Sequence, residues 1–143
     1  MSTTAEATRE AAKPVPALNG LVPYLQLENA TKAAAFYEKA FAAFNAFAQP
    51  LDEKGRTMHI HLHVNGGSLM LSDPFPEYGH VHKAPQGYTL TLIVDDVDAW
   101  FDRAVKEGCE VTMPPENMFW GDRFASVKDP FGVEWAMNGP AKA

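Results

Sequence analysis

Leu21 to Leu27 is a short, mainly apolar run, and directly after it the spacing changes: Ala33, Phe36, Tyr37, Ala40 and Phe41 recur every three or four residues. The first reads as a strand. The second predicts a helix from Ala30 to about Phe41 with one buried stripe, and Asn29 is placed to cap it. Three more strands follow, Phe44 to Gln49, Thr57 to Val64 and Ser68 to Ser72. A polar turn, Leu51 to Gly55, separates the first two, and a hairpin turn, Asn65-Gly66-Gly67, the last two.

Asp73 to Gly87 holds three Pro, two Gly and the pair His80 and His82, a loop rather than an element. The pattern then restarts. Tyr88 to Val94 is a strand, Asp95 or Asp96 caps a helix, and Val97, Trp100, Phe101, Ala104 and Val105 form its apolar face, with Gly108 ending it. Cys109 to Met113, Arg123 to Lys128 and Val133 to Asn138 supply three strands. The loop Pro114 to Gly121 and the tight turn Asp129-Pro130-Phe131-Gly132 connect them.

The order β-α-β-β-β therefore occurs twice. The expected class is α+β, two βαβββ modules pairing into a curved mixed sheet that encloses a cup. Residues 1–17 read as a flexible tail and 18–143 as a single domain: module 1 about 18–73, a linker 74–87, and module 2 about 88–138. A cup of this kind suits a small molecule.

Composition narrows the partners. A net charge of −6 and a pI near 5.3, without any Lys/Arg run, argue against nucleic acid. No segment is long and apolar enough for a membrane span and no signal peptide is evident, so a cytoplasmic location is expected. The lone Cys109 excludes an intramolecular disulfide and a cysteine metal cluster, and reads as a buried structural thiol.

The strand His59-Ile60-His61-Leu62-His63-Val64 alternates strictly. Ile60, Leu62 and Val64 should meet the helix while His59, His61 and His63 face the cup or solvent. Three readings stay open for the row. It lines a polar wall; it holds a divalent metal through His59 and His61; or His59 acts as a general base. Trp120 and Tyr24 are candidates for stacking on a planar ligand, with core packing as the alternative.

These motifs in order resemble the vicinal oxygen chelate superfamily of glyoxalases, bleomycin resistance proteins and extradiol dioxygenases, and within it the PhnB-like branch labelled 3-demethylubiquinone methyltransferase-like. The resemblance rests on Pro23-Tyr24-Leu25, Phe36 to Phe41, His59, Leu69 to Asp73, Val94 to Asp98, Trp120 to Phe124, and Asp129 to Gly132 with Trp135. It implies a homodimer. It also places family metal ligands at Val22, Thr89, Ala136 and a position in Ser68 to Ser72 that holds no Glu. Glu134 would share the Ala136 face only if its strand began with a shift. Such residues lack the nitrogen or carboxylate donors of a divalent ion, so the usual metal centre is not expected. Within the motif, Arg123 is the candidate anion handle, its fork suited to a carboxylate or phosphonate.

The leading expectation is a small-molecule binding protein with His59, His61, His63, Trp120, Arg123 and Tyr24 at its ligand site and no assigned cofactor. The alternatives are a divergent metal-dependent lyase or isomerase using the histidine strand, and a dimeric interaction module.

Overall fold

Helix α1 (Ala30–Ala40) turns Ala30, Ala33, Ala34, Tyr37 and Ala40 inward, so Ala33, Tyr37 and Ala40 of the predicted stripe are buried, with Phe41 just beyond, while Phe36 is only partly buried. The chain is seen in a computed structural model that describes residues 15–143, so the predicted tail lies outside the described residues apart from its last three positions. Asn29 does occupy the N-cap, but in a left-handed conformation (φ 62°) and without a side-chain cap. The carboxylate of Asp73, distant in sequence, accepts instead from Ala30 N at 3.0 Å and from Thr57 N at 2.8 Å. A buried carboxylate thus meets the positive end of the helix and ties it to module 1. Helix α2 (Val97–Glu107) is capped by Asp96, whose Oδ1 accepts from Ala99 N at 3.1 Å, and it ends at Gly108 with φ 123°.

Module 1 contributes strands β1 (Tyr24–Gln26), β2 (Phe44–Ala48), β3 (Ile60–Val64) and β4 (Gly67–Ser72), in the spatial order β1-β4-β3-β2. Module 2 contributes β5 (Leu90–Ile93), β6 (Glu110–Asn117), β7 (Asp122–Lys128) and β8 (Glu134–Pro140), in the matching order β5-β8-β7-β6. In each, the first strand runs parallel to the last and the remaining pairs are antiparallel. The two βαβββ modules are therefore as predicted, each forming its own mixed sheet of four strands, with β1 and β5 at sheet edges.

Strands β1 and β3 are shorter than the predicted Leu21 to Leu27 and Thr57 to Val64, and two further boundaries differ for physical reasons. The segment expected as a loop from Pro114 begins inside β6, which carries both Pro114 and Pro115. This is tolerated because β6 is an edge strand with a register shift between Met113 and Glu116, so the missing N–H groups interrupt no second ladder. The hairpin between β3 and β4 is a two-residue turn, Asn65-Gly66, with φ of 50° and 84°, pairing Val64 with Gly67.

One apolar core joins the modules. Ile60, Leu62, Leu69 and Leu71 face it from the first sheet, and Leu92, Ala125, Val127 and Met137 from the second. Phe41, at the end of α1, stacks on Trp135 of β8 at 4.1 Å between ring centroids, and Tyr37 lies 5.2 Å from the same indole. Under these rings Asp129 accepts from Tyr37 Oη (2.6 Å), Trp135 Nε1 (2.9 Å), Phe131 N (2.8 Å) and Val133 N (3.0 Å). Module 1's helix is in this way fastened to the turn between β7 and β8. Among the described residues no helix is long and apolar enough to cross a membrane.

Candidate functional site

Strand alternation sends Ile60, Leu62 and Val64 into the core, as expected, and turns His59, His61 and His63 to the other face. The register then fixes their neighbours. His61 pairs with Met70 and Phe47, and His63 with Ser68 and Phe44, while Tyr24 pairs with Met70 from the far side. The face thus has a row of three imidazoles between β2 and β4. Exposed rings flank it: Tyr24 is 51%, Phe44 64% and Phe47 44% accessible.

The three imidazoles are in different states. Tyr24 Oη lies 2.9 Å from His59 Nδ1 and donates to Met58 O at 3.2 Å. His61 is buried with Nε2 2.6 Å from Ser68 Oγ, itself buried. Desolvation, then the neighbouring His63 and His59, push the His61 pKa down, so it is neutral near pH 7. The Nε2 of His63 is shielded from solvent and has no hydrogen-bond partner. His61 and His63 rings are 5.4 Å apart and His59 and His61 rings 6.5 Å.

Trp120 and Arg123 are not part of this row. Trp120, about half exposed in the β6–β7 connection, packs edge-on against Phe119 at 5.1 Å and Phe124 at 6.1 Å, all in module 2. Phe124 pairs with Asn138, which pairs with Ile93, so Trp120 borders the second sheet's outer face, where Ile93 is 68% exposed. Arg123 alternates to the helix side. Its Nε and Nη2 donate to the two Asp98 oxygens of α2 at 2.8 and 3.0 Å, and Nη1 to Asn117 Oδ1 at 3.2 Å. Its fork is already filled by a carboxylate, which corrects the expectation of an anion handle at this position. Lys142 Nζ approaches Asp98 Oδ2 at 3.0 Å as well, and the Asp98 pKa is held down at about 2, mainly by the Arg123 hydrogen bond.

The family's metal positions do not fit an ion. Val22 and Thr89 precede β1 and β5, and Ala136 pairs with Thr91. On β4 the same face offers Ser68, Met70 and Ser72. Glu134 does share the Ala136 face, by simple period-2 alternation and with no register shift, but it pairs with Lys128 at the exposed start of β8. Among the described residues no group of three or more His, Cys, Asp or Glu is gathered as a metal site. His61 Nε2 is moreover already engaged by Ser68.

The main concavity and the imidazole row do not coincide. A cavity of about 330 Å³ opens at the seam between the sheets, lined chiefly by Leu21, Val64, Leu69, Leu90, Leu92 and Trp135, and it touches the histidine face only through Ser68. We place the candidate site on the histidine face, because the seam offers only the hydroxyls of Ser68, Thr89 and Thr91, whereas that face groups three imidazoles with exposed rings. Of the linker histidines, His80 forms a bridge with Phe75, and His82 Nε2 lies 3.9 Å from Glu28 Oε1. Cys109 is buried, with its pKa pushed up to about 12 by desolvation, an inert thiol.

Ser68, Phe44 and Phe47 were not singled out from sequence. The Asn65-Gly66 pair carried the signal, because a two-residue turn after His63-Val64 places Ser68 opposite His63.

Comparison with known proteins agrees with the fold. An uncharacterized protein of Mycobacterium bovis is 37% identical over 128 residues, covering 85% of this chain and 84% of the relative. The crystal structure of protein PA1353 from Pseudomonas aeruginosa superposes with a TM-score of 0.68 at 28% identity, over 87% of this chain and 99% of that one. The PhnB protein from Bacillus cereus superposes with a TM-score of 0.63 at 17% identity, over 83% and 98% of the two chains, a likeness of fold alone. Residues 21–137 match the Glyoxalase/Bleomycin resistance protein/Dioxygenase superfamily, and the chain belongs to that superfamily.

Proposed function

We propose that this chain is a cytoplasmic small-molecule binding protein whose ligand lies on the histidine face of the first sheet, and that two copies associate to complete the site. The observation that carries the reading is the face itself: three large rings exposed around a row of imidazoles, without the donor set of the superfamily's metal centre. Exposed aromatics concentrated on one sheet face are a recognition surface rather than an ordinary exterior.

The two-copy arrangement follows from separation. The histidine row and its rings belong wholly to module 1, and Trp120, Phe119 and Ile93 wholly to module 2, with the shared core beneath both sheets. In a pair of chains, the Trp120 side of one copy covers the histidine face of the other. The motifs also favour the PhnB-like branch, without its methyltransferase label, since no glycine-rich loop follows a strand here.

The test is a thermal-shift and calorimetric screen of aromatic small molecules against the wild type and a Phe44→Ala, Phe47→Ala variant. Binding that weakens at least tenfold in the variant while its fold persists supports the reading. Equal binding by both would move the site elsewhere.

A further inference from the structure

The four strands of the first sheet carry no Asp, Glu, Lys or Arg at all. The ionisable groups that the strands and the adjoining His59 bring to the open face are therefore the imidazoles and the Tyr24 phenol. Facing the row are Phe44 and Phe47 from β2, Ser68 and Met70 from β4, and Tyr24 from β1. Among the described residues of the same chain no carboxylate is paired with any of the three imidazoles, and His63 Nε2 has no partner.

We infer that the ligand of this face is a planar aromatic carboxylate, its ring laid among Phe44, Phe47 and Tyr24 and its charge met by the histidine row. This rests on the histidine face being the ligand site, and it specifies what occupies it. A neutral ligand would leave the unpartnered imidazole a hydrogen bond at most. A cation would meet a row that repels it once any histidine is protonated, and a metal ion would find no carboxylate. An anion supplies the missing counterion and draws a proton onto the row as it binds, which strengthens the contact by charge assistance. Flat rings suit a shallow face whose apolar contacts are exposed aromatic edges and planes.

Proton uptake gives the experiment its sign. If binding favours the protonated row, affinity rises as pH falls, while the carboxylate of the ligand stays ionised well above its own pKa of about 4. The probes are 2-naphthoate, its neutral analogue 2-naphthamide, and cyclohexanecarboxylate, titrated against the full-length protein between pH 6 and pH 8. The expected result is that 2-naphthoate binds about tenfold tighter at pH 6 than at pH 8, and tighter at pH 6 than either other probe. In a His59→Gln, His63→Gln variant the pH dependence should flatten while the fold is retained by circular dichroism. Equal affinity for naphthoate and naphthamide with no pH dependence overturns the anionic ligand and leaves the site intact. Cyclohexanecarboxylate binding as well as naphthoate overturns the aromatic requirement. Failure of all three probes at millimolar concentration removes the inference together with the ligand site beneath it.

Discussion

Asp129 accepts four hydrogen bonds from inside the core, so its removal orphans four donors at once, Tyr37 Oη, Trp135 Nε1, Phe131 N and Val133 N. An unsatisfied buried donor costs about 1–3 kcal/mol. Asp129→Ala should therefore lose at least about 3 kcal/mol in urea unfolding, while Tyr37→Phe, which leaves the carboxylate three donors, should lose about 1–2 kcal/mol. Equal losses would mean that the phenol alone carries the link between the modules. His61 sets a different dependence. Its folded pKa is depressed below 6.5 by burial, so above that value both states are neutral and the stability is complete. Below it the unfolded chain takes the proton first and stability falls. Between pH 7 and pH 5.5 the wild type should lose stability faster than a His61→Gln variant, measured by urea midpoints at each pH. Arg123 belongs to the same scale. As a partner of Asp98 it contributes stability that is present above the ordinary carboxylate range and is lost as pH falls through about 2. Arg123→Ala should thus weaken stability at neutral pH and leave ligand affinity untouched.

At the scale of elements, what was legible followed periodicity, and what was not depended on partners distant in sequence. The α2 face of Val97, Trp100, Phe101, Ala104 and Val105 and the alternation of the histidine strand needed only local spacing; the alternation is realised, and on α2 Val97, Phe101 and Ala104 are buried while Trp100 and Val105 are partly so. Asp73 as the cap of α1 lies 43 residues from Ala30, so no local signal announces it. Arg123 was assigned from its motif, but its side of the strand is set by the register of β7 against β8 and by an acid on α2. Two prolines argue against a strand unless it is known to be an edge, so the sequence alone ends β6 at Met113. That edge position has a consequence. Proline and register shifts blunt a strand that would otherwise offer its backbone to another chain. Pro114→Thr with Pro115→Thr restores the missing donors and should promote association beyond the wild-type oligomer, seen as larger species in light scattering. Gly139 marks the opposite constraint. A Cβ there would sit 2.1 Å from Val94 O, against backbone that cannot yield cheaply. Gly139→Ala should therefore abolish the β5–β8 pairing geometry and give insoluble or strongly destabilised protein.

For the whole molecule, the decisive fact is that its two candidate recognition surfaces sit on separate sheets tied to one core. The Tyr37–Asp129–Trp135 junction holds the two sheets on that core, and a second copy supplies the cover in our reading. Phe119 is 95% exposed and Ile93 68%, beside the half-exposed Trp120, which is more apolar surface than a free sheet face gains from keeping in water. If that side covers the partner's histidine face, the wild type at micromolar concentration should scatter as twice the 15.7 kDa of one chain. Phe119→Ser with Trp120→Ser should scatter as one. Since these residues lie in a connection and contribute nothing to the buried core, the double variant should retain its unfolding midpoint to within the dimer's own contribution. It should also lose ligand affinity, because half of the enclosing wall is gone. A monomeric wild type that still binds ligand would show that the histidine face works alone, and a dimer indifferent to Phe119 and Trp120 would place the contact on another surface.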